Sequence, residues 1–516
     1  MLQPLVTSYR LPRNANVLRR SIRSNHVPLY EYPFCLDTKY IDLSKACNVI
    51  MTQLAKQQSQ HAMYFVIPFM LFLWTNGSSR QTIEALHRCG LCVSFSSLMN
   101  LLHQLAVRSL ECASQAAHGI HALCWDNINI KMSIFVEQRD SAPAKVQSRT
   151  FTILYKINAN PADVCLSPML ARARRASDLT FNMDVRPTSK QQWSFHSQIC
   201  IHIIDILLKY SKPFEAFECP NDPCLVHPQH RKGPTGHRTK QFPLCTSMID
   251  KSSVLGNIAV VNDIYINQMK MTHAELVNQA VLSINNQSMN AWIRAVKALR
   301  MKDINPFTQL QFLQLGFGLF HLCMNLIWAL LHVHWGSLHQ VGSLMYFFSV
   351  LDQTWLGYEH PDYHTLMSTL FQILHGVILN AWRVKCGYPT LAAFASSSPS
   401  TDELLRITDL IIQNHALMPH QRPKPRPRKP TAMNTLDESA ESVLADVACC
   451  NLCLLTHDLL YVFKLTEAIP DGDFGRVEDI LGSLAMIFRG AGSNNYSTEL
   501  LHWIYNVKNI WTPRFA

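Results

Sequence analysis

The stretch Leu123-Cys124-Trp125-Asp126-Asn127-Ile128-Asn129-Ile130 decides how the chain is read. It is rich in aromatic and β-branched residues, the make-up of a strand. Ser133–Glu137 and Phe151–Ile157 are two more short runs of that kind, and together they predict adjacent strands of one sheet. Asp126 ends the apolar part of the first run. A carboxylate at the end of a buried strand can hold a divalent metal against a cleft. More often an Asp in such a place caps or turns the chain.

Working outward, the segments on both sides read as helix. Ile83, Leu86, Leu91, Leu98, Leu101, Leu102 and Leu105 have near-helical spacing. The turn Arg88-Cys89-Gly90 separates two helices. Cys89 and Cys92 have a zinc-ligand spacing but no second pair nearby, so they are read as two buried thiols. Gln198–Tyr210 is predicted helical, Val281–Ile284 a strand, and Met289–Met301 a helix. Residues 310–385 are dominated by helix, and 438–512 are helical with a break at Pro470–Gly475. The predicted fold class is α+β, predominantly helical, with a small mixed sheet embedded in helical domains. The predicted organisation is a basic arm over 1–40, a helical domain over 41–115 and an α/β core over 116–300. A helical insertion over 301–418, a basic proline-rich linker over 419–432 and a helical segment over 433–516 that completes the core follow.

Two apolar segments invite a membrane reading. Ala62–Trp74 has thirteen residues and contains Pro68, short of the roughly 20 needed to span. Leu313–Trp335 has no Asp, Glu, Lys or Arg over 23 residues. Its Gln314, His321, Asn325, His332 and His334 are costly against lipid, so it is predicted to be a buried helix pair.

Of the 516 residues, 48% are apolar and 16% charged, which excludes a disordered composition. The formal charge of +10, from 46 basic and 36 acidic side chains, permits binding to nucleic acid or an anionic surface. Sixteen cysteines diluted over so long a chain point to reduced thiols in a cytosolic or nuclear protein. The first 25 residues lack an apolar core of a secretory signal. They carry Arg10, Arg13, Arg19, Arg20 and Arg23, a bias shared by mitochondrial presequences and phosphate-binding arms. The expectation is a soluble protein of the nucleus or cytoplasm with no membrane span.

Several residues qualify as site candidates. Cys219, Cys224, His227 and His230 are rich in zinc donors, with His237 and Cys245 as further candidates. Their spacing matches no common finger, and an exposed polar loop is the competing reading. The alternating Pro and Arg or Lys of 419–432 favours an extended conformation and offers charge to phosphate. His321 lies in an apolar helix, where a hydrogen-bonded core residue is the usual role.

Asp126-Asn127 is followed by Ile249-Asp250-Lys251-Ser252-Ser253-Val254-Leu255-Gly256-Asn257-Ile258, then by Phe320-His321-Leu322-Cys323-Met324 and His334-Trp335-Gly336-Ser337-Leu338. Gly472-Asp473-Phe474-Gly475-Arg476-Val477-Glu478-Asp479 and Asn495-Tyr496-Ser497-Thr498-Glu499 complete the series. This order of motifs resembles the fungal domain of unknown function 6589, over roughly residues 80 to 516. The resemblance implies a transposon-derived protein and, by analogy, a ribonuclease-H-like core. Such a core places one Asp on the first strand, a second near the fourth, and a Glu on a late helix. Asp126 fits the first place. Glu499, with Glu478 as substitute, fits the third. At the second the family pattern reads Gly-Asp-Gln, and this chain has Asn285-Asn286-Gln287. Asn286 therefore stands where an acid is expected, and His321 would orient a carboxylate or touch phosphate. If active, the protein would be a DNA nuclease or strand transferase using Mg²⁺ or Mn²⁺ on Asp126 and Glu499. The missing acid, and an end soon after Trp511-Thr512-Pro513 where relatives continue, imply a decayed and truncated copy. The alternative is a non-catalytic nucleic-acid-binding or scaffold protein.

Overall fold

Serines stand where helices begin. In the computed structural model, Ser79 Oγ accepts a hydrogen bond from the Thr82 N–H at 3.1 Å and opens α1 (Arg80–Arg88). Ser94 Oγ accepts from the Ser97 N–H at 3.2 Å and opens α2 (Phe95–Ala117). Each satisfies a backbone donor that has no partner within the helix. The structure describes residues 43–59, 62–131, 146–215, 217, 222–417 and 438–516. The basic arm, the run Ser133–Glu137, Cys219 and the linker 419–432 lie outside the described residues.

The chain continues through β1 (His121–Lys131), β2 (Val146–Lys156), α3 (Ser189–Tyr210), β3 (Gln241–Pro243) and α4 (Val254–Asn262). Next come β4 (Val281–Asn285), α5 (Gln287–Leu299), β5 (Leu313–Phe317) and α6 (Leu319–Val333). The remainder is led by α7 (Tyr363–Lys385), α8 (Thr401–Ile411), α9 (Glu438–Ala468), α10 (Phe474–Gly490) and α11 (Asn494–Tyr505). The five strands form a mixed sheet in the order β3-β2-β1-β4-β5. β2 and β3 are antiparallel, with Ile153 opposite Pro243. β1 and β4 are parallel, with Leu123 beside Ser283, and β4 and β5 are parallel from Val281–Leu313 to Asn285–Phe317. The fold is thus α+β and mostly helical around a small mixed sheet.

The chain divides into two compact units. The first takes residues up to His121, Trp125–Lys156 and Gln241–Thr272. Within it Met70, Ile83, Cys92 and Leu98 form a small buried cluster, with Leu86, Leu101 and Leu102 packed against it. Leu105 is exposed. Of the two thiols read as buried, Cys92 is, donating to the Ile83 carbonyl at 3.2 Å, while Cys89 is exposed at the helix C-cap.

The second unit takes Ala122–Cys124, Ile157–Lys240 and His273–Ala516. Its core is one large cluster from α3, α6, α7, α8, α9, α10 and α11. On α7 the buried residues Leu366, Leu370, Ile373, Leu374, Ile378, Ala381 and Trp382 recur at three- and four-residue steps, one helix face. Burying each large aliphatic side chain stabilises by about 1.5–3 kcal/mol before entropy is counted. Trp382 Nε1–H donates to the Ile203 carbonyl at 3.0 Å, so its one polar atom is satisfied.

Two sequence readings need correction. Leu313–Trp335 is not a helix pair. It begins with β5, buried at every position, and only then becomes α6. A strand covered on both faces shows a continuous apolar run, which periodicity cannot tell from buried helix. Asp126 does not end its strand, because β1 runs on to Lys131. In addition, Val447–Ala468 within α9 is long and apolar enough to cross a membrane, and half of its most apolar window is buried in the structure.

Candidate functional site

Asp126 meets Lys251 within the first unit. Lys251 Nζ donates to Asp126 Oδ1 at 2.6 Å. The lysine is 5% exposed. Asp126 also takes its own neighbour's backbone, the Asn127 N–H, at 2.7 Å. The motif at 249–258 builds this arrangement. Asn257 Nδ2 donates to the Lys251 carbonyl at 2.6 Å and to the Ser253 carbonyl at 2.8 Å. Ser253 caps α4 through the Gly256 N–H. A Cβ on Gly256 would lie 1.9 Å from the Asp250 carbonyl oxygen, so the loop closes only over glycine. An ammonium group thus occupies one carboxylate oxygen of the best metal-ligand candidate, and a divalent cation there has to share that oxygen or displace the lysine.

Asn286 and Glu499 belong to the second unit. Asn286 Oδ1 accepts from the Met289 N–H at 2.9 Å and caps α5. Its neighbour Asn285 turns inward. Asn285 Nδ2 donates to Ser283 Oγ at 2.7 Å and to Asn290 Oδ1 at 3.1 Å. Asn290 Nδ2 donates onward to the Gly316 carbonyl at 2.8 Å and to Glu499 Oε1 at 2.7 Å. Glu499 Oε2 pairs with Arg294 at 2.6 Å. Glu499 is 3% exposed and stands inside α11, five residues after its first residue. It borders a cavity of about 340 Å³ with Arg294, Lys297 and His502. Burial and the charge of Arg294 push the Lys297 amine down to about 8. His321 lies on α6, its ring edge-on to Phe320 at 5.5 Å between centroids, and its carbonyl accepts from Asn325 Nδ2 at 2.8 Å.

The histidine loop finds its partners on α3 and α10. Cys224 is exposed. His230 and Arg231 donate their backbone N–H groups to the two oxygens of Asp473 at 2.8 and 2.7 Å. Burial alone would raise the Asp473 carboxyl; these backbone donors overcome it and hold the group below its ordinary value. A Cβ on Gly475 would lie 2.9 Å from both Arg231 N and His230 Cβ, so glycine lets the loop touch the helix. His230 Nδ1 lies 3.1 Å from Asp479 Oδ2, which also accepts from Ser194 Oγ at 2.9 Å. Arg231 pairs with Glu478. Arg476, 1% exposed, reaches Gln198 Oε1 at 3.1 Å and Asp471 at 2.5 Å. The Gly472–Asp479 motif is therefore the clamp on this loop. His227 points elsewhere, its ring against that of His202 with centroids 4.4 Å apart.

A third grouping was not singled out from sequence. Asp458 accepts from His334 Nε2 at 2.8 Å and pairs with His457 Nδ1 at 3.0 Å. Burial would raise Asp458, but the two imidazoles hold it below its ordinary value. The three border a groove of about 1100 Å³ whose wall is largely apolar. His334 belongs to a quoted motif, but Asp458 lies in a long apolar helix with no local pattern around it. His202 and Lys464 were missed for the same reason.

Fold and contacts define a mostly helical α+β protein with a small mixed sheet and several buried polar clusters. The chain belongs to the family of unknown function DUF6589, which it matches over residues 174–516. No curated protein and no solved structure matches it.

Proposed function

We propose that this chain is a transposase-like nucleic-acid-processing protein of mobile-element origin, with a ribonuclease-H-like core whose acidic positions no longer work in catalysis. What supports the core is placement. Asp126 stands on the first strand, Asn286 directly after the fourth, and Glu499 on a late helix. The observation that carries the loss of catalysis is the use of each side chain in a structural bond. Asp126 holds the Lys251 ammonium, Asn286 caps α5, and Glu499 is closed in by Asn290 and Arg294. An uncharged Asn at the second place also removes one of the charges that two metal ions and a phosphate require. The retained activity is binding to DNA through backbone phosphates, supported by the +10 net charge. The nucleus or cytoplasm is the compartment that fits.

The test is DNA cleavage with Mg²⁺ or Mn²⁺, comparing the unmodified chain with Asn286→Asp and Asp126→Ala, together with DNA binding over a range of salt. The unmodified chain is expected to bind without cutting, its affinity falling with a log–log slope of about −0.9 per phosphate contact. Cleavage by the unmodified chain that Asp126→Ala abolishes would overturn the loss of catalysis. Affinity indifferent to salt would overturn the binding reading.

A further inference from the structure

We propose that His202, Asp205 and His227 form a binding site for one divalent transition-metal ion of the zinc type. It is independent of the acidic residues considered above. His202 and Asp205 stand three residues apart on α3, and therefore on one helix face. His227 comes from the loop that Asp473 clamps. The donor atoms of the three residues all lie within 4.8 Å of one another. This is within a short side-chain movement of the separation that ligands about 2.0–2.2 Å from a common ion adopt.

A second observation points to a ligand. His202 is 1% exposed, and its Nε2 is buried with no hydrogen-bond partner. His227 Nδ1 is likewise buried and unpartnered. A buried polar atom left without a partner is costly, and two such atoms on rings whose centroids lie 4.4 Å apart ask for an occupant that accepts lone pairs. An imidazole nitrogen without its proton is such a lone-pair donor. Burial holds His202 well below its ordinary value and His227 down to about 4, so both rings are neutral at pH 7, the form that ligates.

The charges around the site are mixed. Lys464 and Arg476 stand on the cationic side. Burial lowers the Lys464 amine to about 7, and Arg476 is already tied to Asp471 and Gln198. On the anionic side, Asp205 is exposed as a residue, yet the protein crowded around its carboxyl and the charge of Glu467 push that group up to about 6. Burial raises Glu467 as well. A cation shared by Asp205 relieves that repulsion. Two imidazoles and a carboxylate, with a fourth position left for water, is a donor set that suits zinc and cobalt better than calcium or magnesium. The ion would pin the loop at His227 to α3, as Asp473 pins it at His230 and Arg231.

The probe is Co²⁺, added to the full chain after stripping with a chelator and read by visible absorption and by metal content after dialysis. One Co²⁺ per chain is expected. His227→Gln and Asp205→Asn should each weaken it by about tenfold or more, since losing a direct ligand costs at least as much as losing a supporting contact. Asp205→Asn keeps the side-chain shape at an exposed position, so the test does not depend on a core substitution folding. Cys224→Ser should leave uptake unchanged. The proposal is overturned if the unmodified chain takes up no stoichiometric metal, if Asp205→Asn and His227→Gln bind as well as the unmodified chain, or if Cys224→Ser abolishes binding.

Discussion

Lys251 Nζ sits 2.6 Å from Asp126 Oδ1, and the two side chains are unequally wet, 6% exposed for the lysine and 44% for the aspartate. Replacing the aspartate takes a carboxylate from a buried ammonium, whereas replacing the lysine takes a cation from a carboxylate that water already reaches. Asp126→Asn should therefore cost more stability than Lys251→Met. The expected losses are about 1–3 kcal/mol for the first and under about 1 kcal/mol for the second, after discounting for the solvent at Asp126. Urea denaturation of the two variants checks this, and equal losses would show that the pair is no more than a surface contact.

Glu499 is closed in by Asn290 and Arg294, so its two oxygens act as one unit with its neighbours. Glu499→Gln should destabilise by about 1–3 kcal/mol. In a double-mutant cycle with Arg294→Met the two losses should fail to add by about 0.5–3 kcal/mol. Additive losses would mean that the carboxylate and the guanidinium do not interact in solution.

Gly475→Ala places a methyl group 2.9 Å from Arg231 N and from His230 Cβ. The backbone has to move, at a cost of about 1–3 kcal/mol. The bonds from His230 and Arg231 to Asp473 should loosen with it, so amide hydrogen exchange at those two positions should speed up in the variant. Unchanged exchange there would show that the loop is held by other contacts.

His121 is buried, with Nδ1 3.0 Å from the Gly119 carbonyl and Nε2 3.2 Å from the Tyr265 hydroxyl. Burial pushes its pKa down to about 4, against an unfolded value near 6.5. The unfolded chain therefore binds the proton more readily. Stability contributed by the neutral ring is complete above about pH 6.5 and is lost as pH falls toward 4, at most about 3 kcal/mol. Urea midpoints at pH 7.5 and pH 5 should differ more for the unmodified chain than for His121→Gln. A drop of the same size in both would remove His121 as a cause.

Much of the fold could be read from local pattern. β1, β2 and β4 showed themselves by β-branched and aromatic runs, and the helices around Ile83 and Leu98 by their spacing. β5 did not, because Leu313–Phe317 is buried on both faces and joins without a polar break to an equally apolar helix. Lys251 and Asp473 stand in motifs visible in the sequence, but neither their roles nor their partners can be read there. Asn290, Arg294 and His202 lie in ordinary helical sequence, and only tertiary packing tells which carboxylate or imidazole they meet. Asn286 stands where the family resemblance leads one to expect an acid, and its part as a helix cap follows from the strand-to-helix turn that it occupies.

The pairing of β2 with β3 has a consequence for how the chain is made. Ile153 lies opposite Pro243, a separation of 243 − 153 = 90 residues. The first unit cannot close until that much polypeptide has left the ribosome, and most of it belongs to the other unit. Contacts so distant along the chain slow folding, because loop entropy is lost before the contacts form. Until then the edge of β2 is open to pairing with other strands, which makes this segment a natural place for a chaperone to act during synthesis.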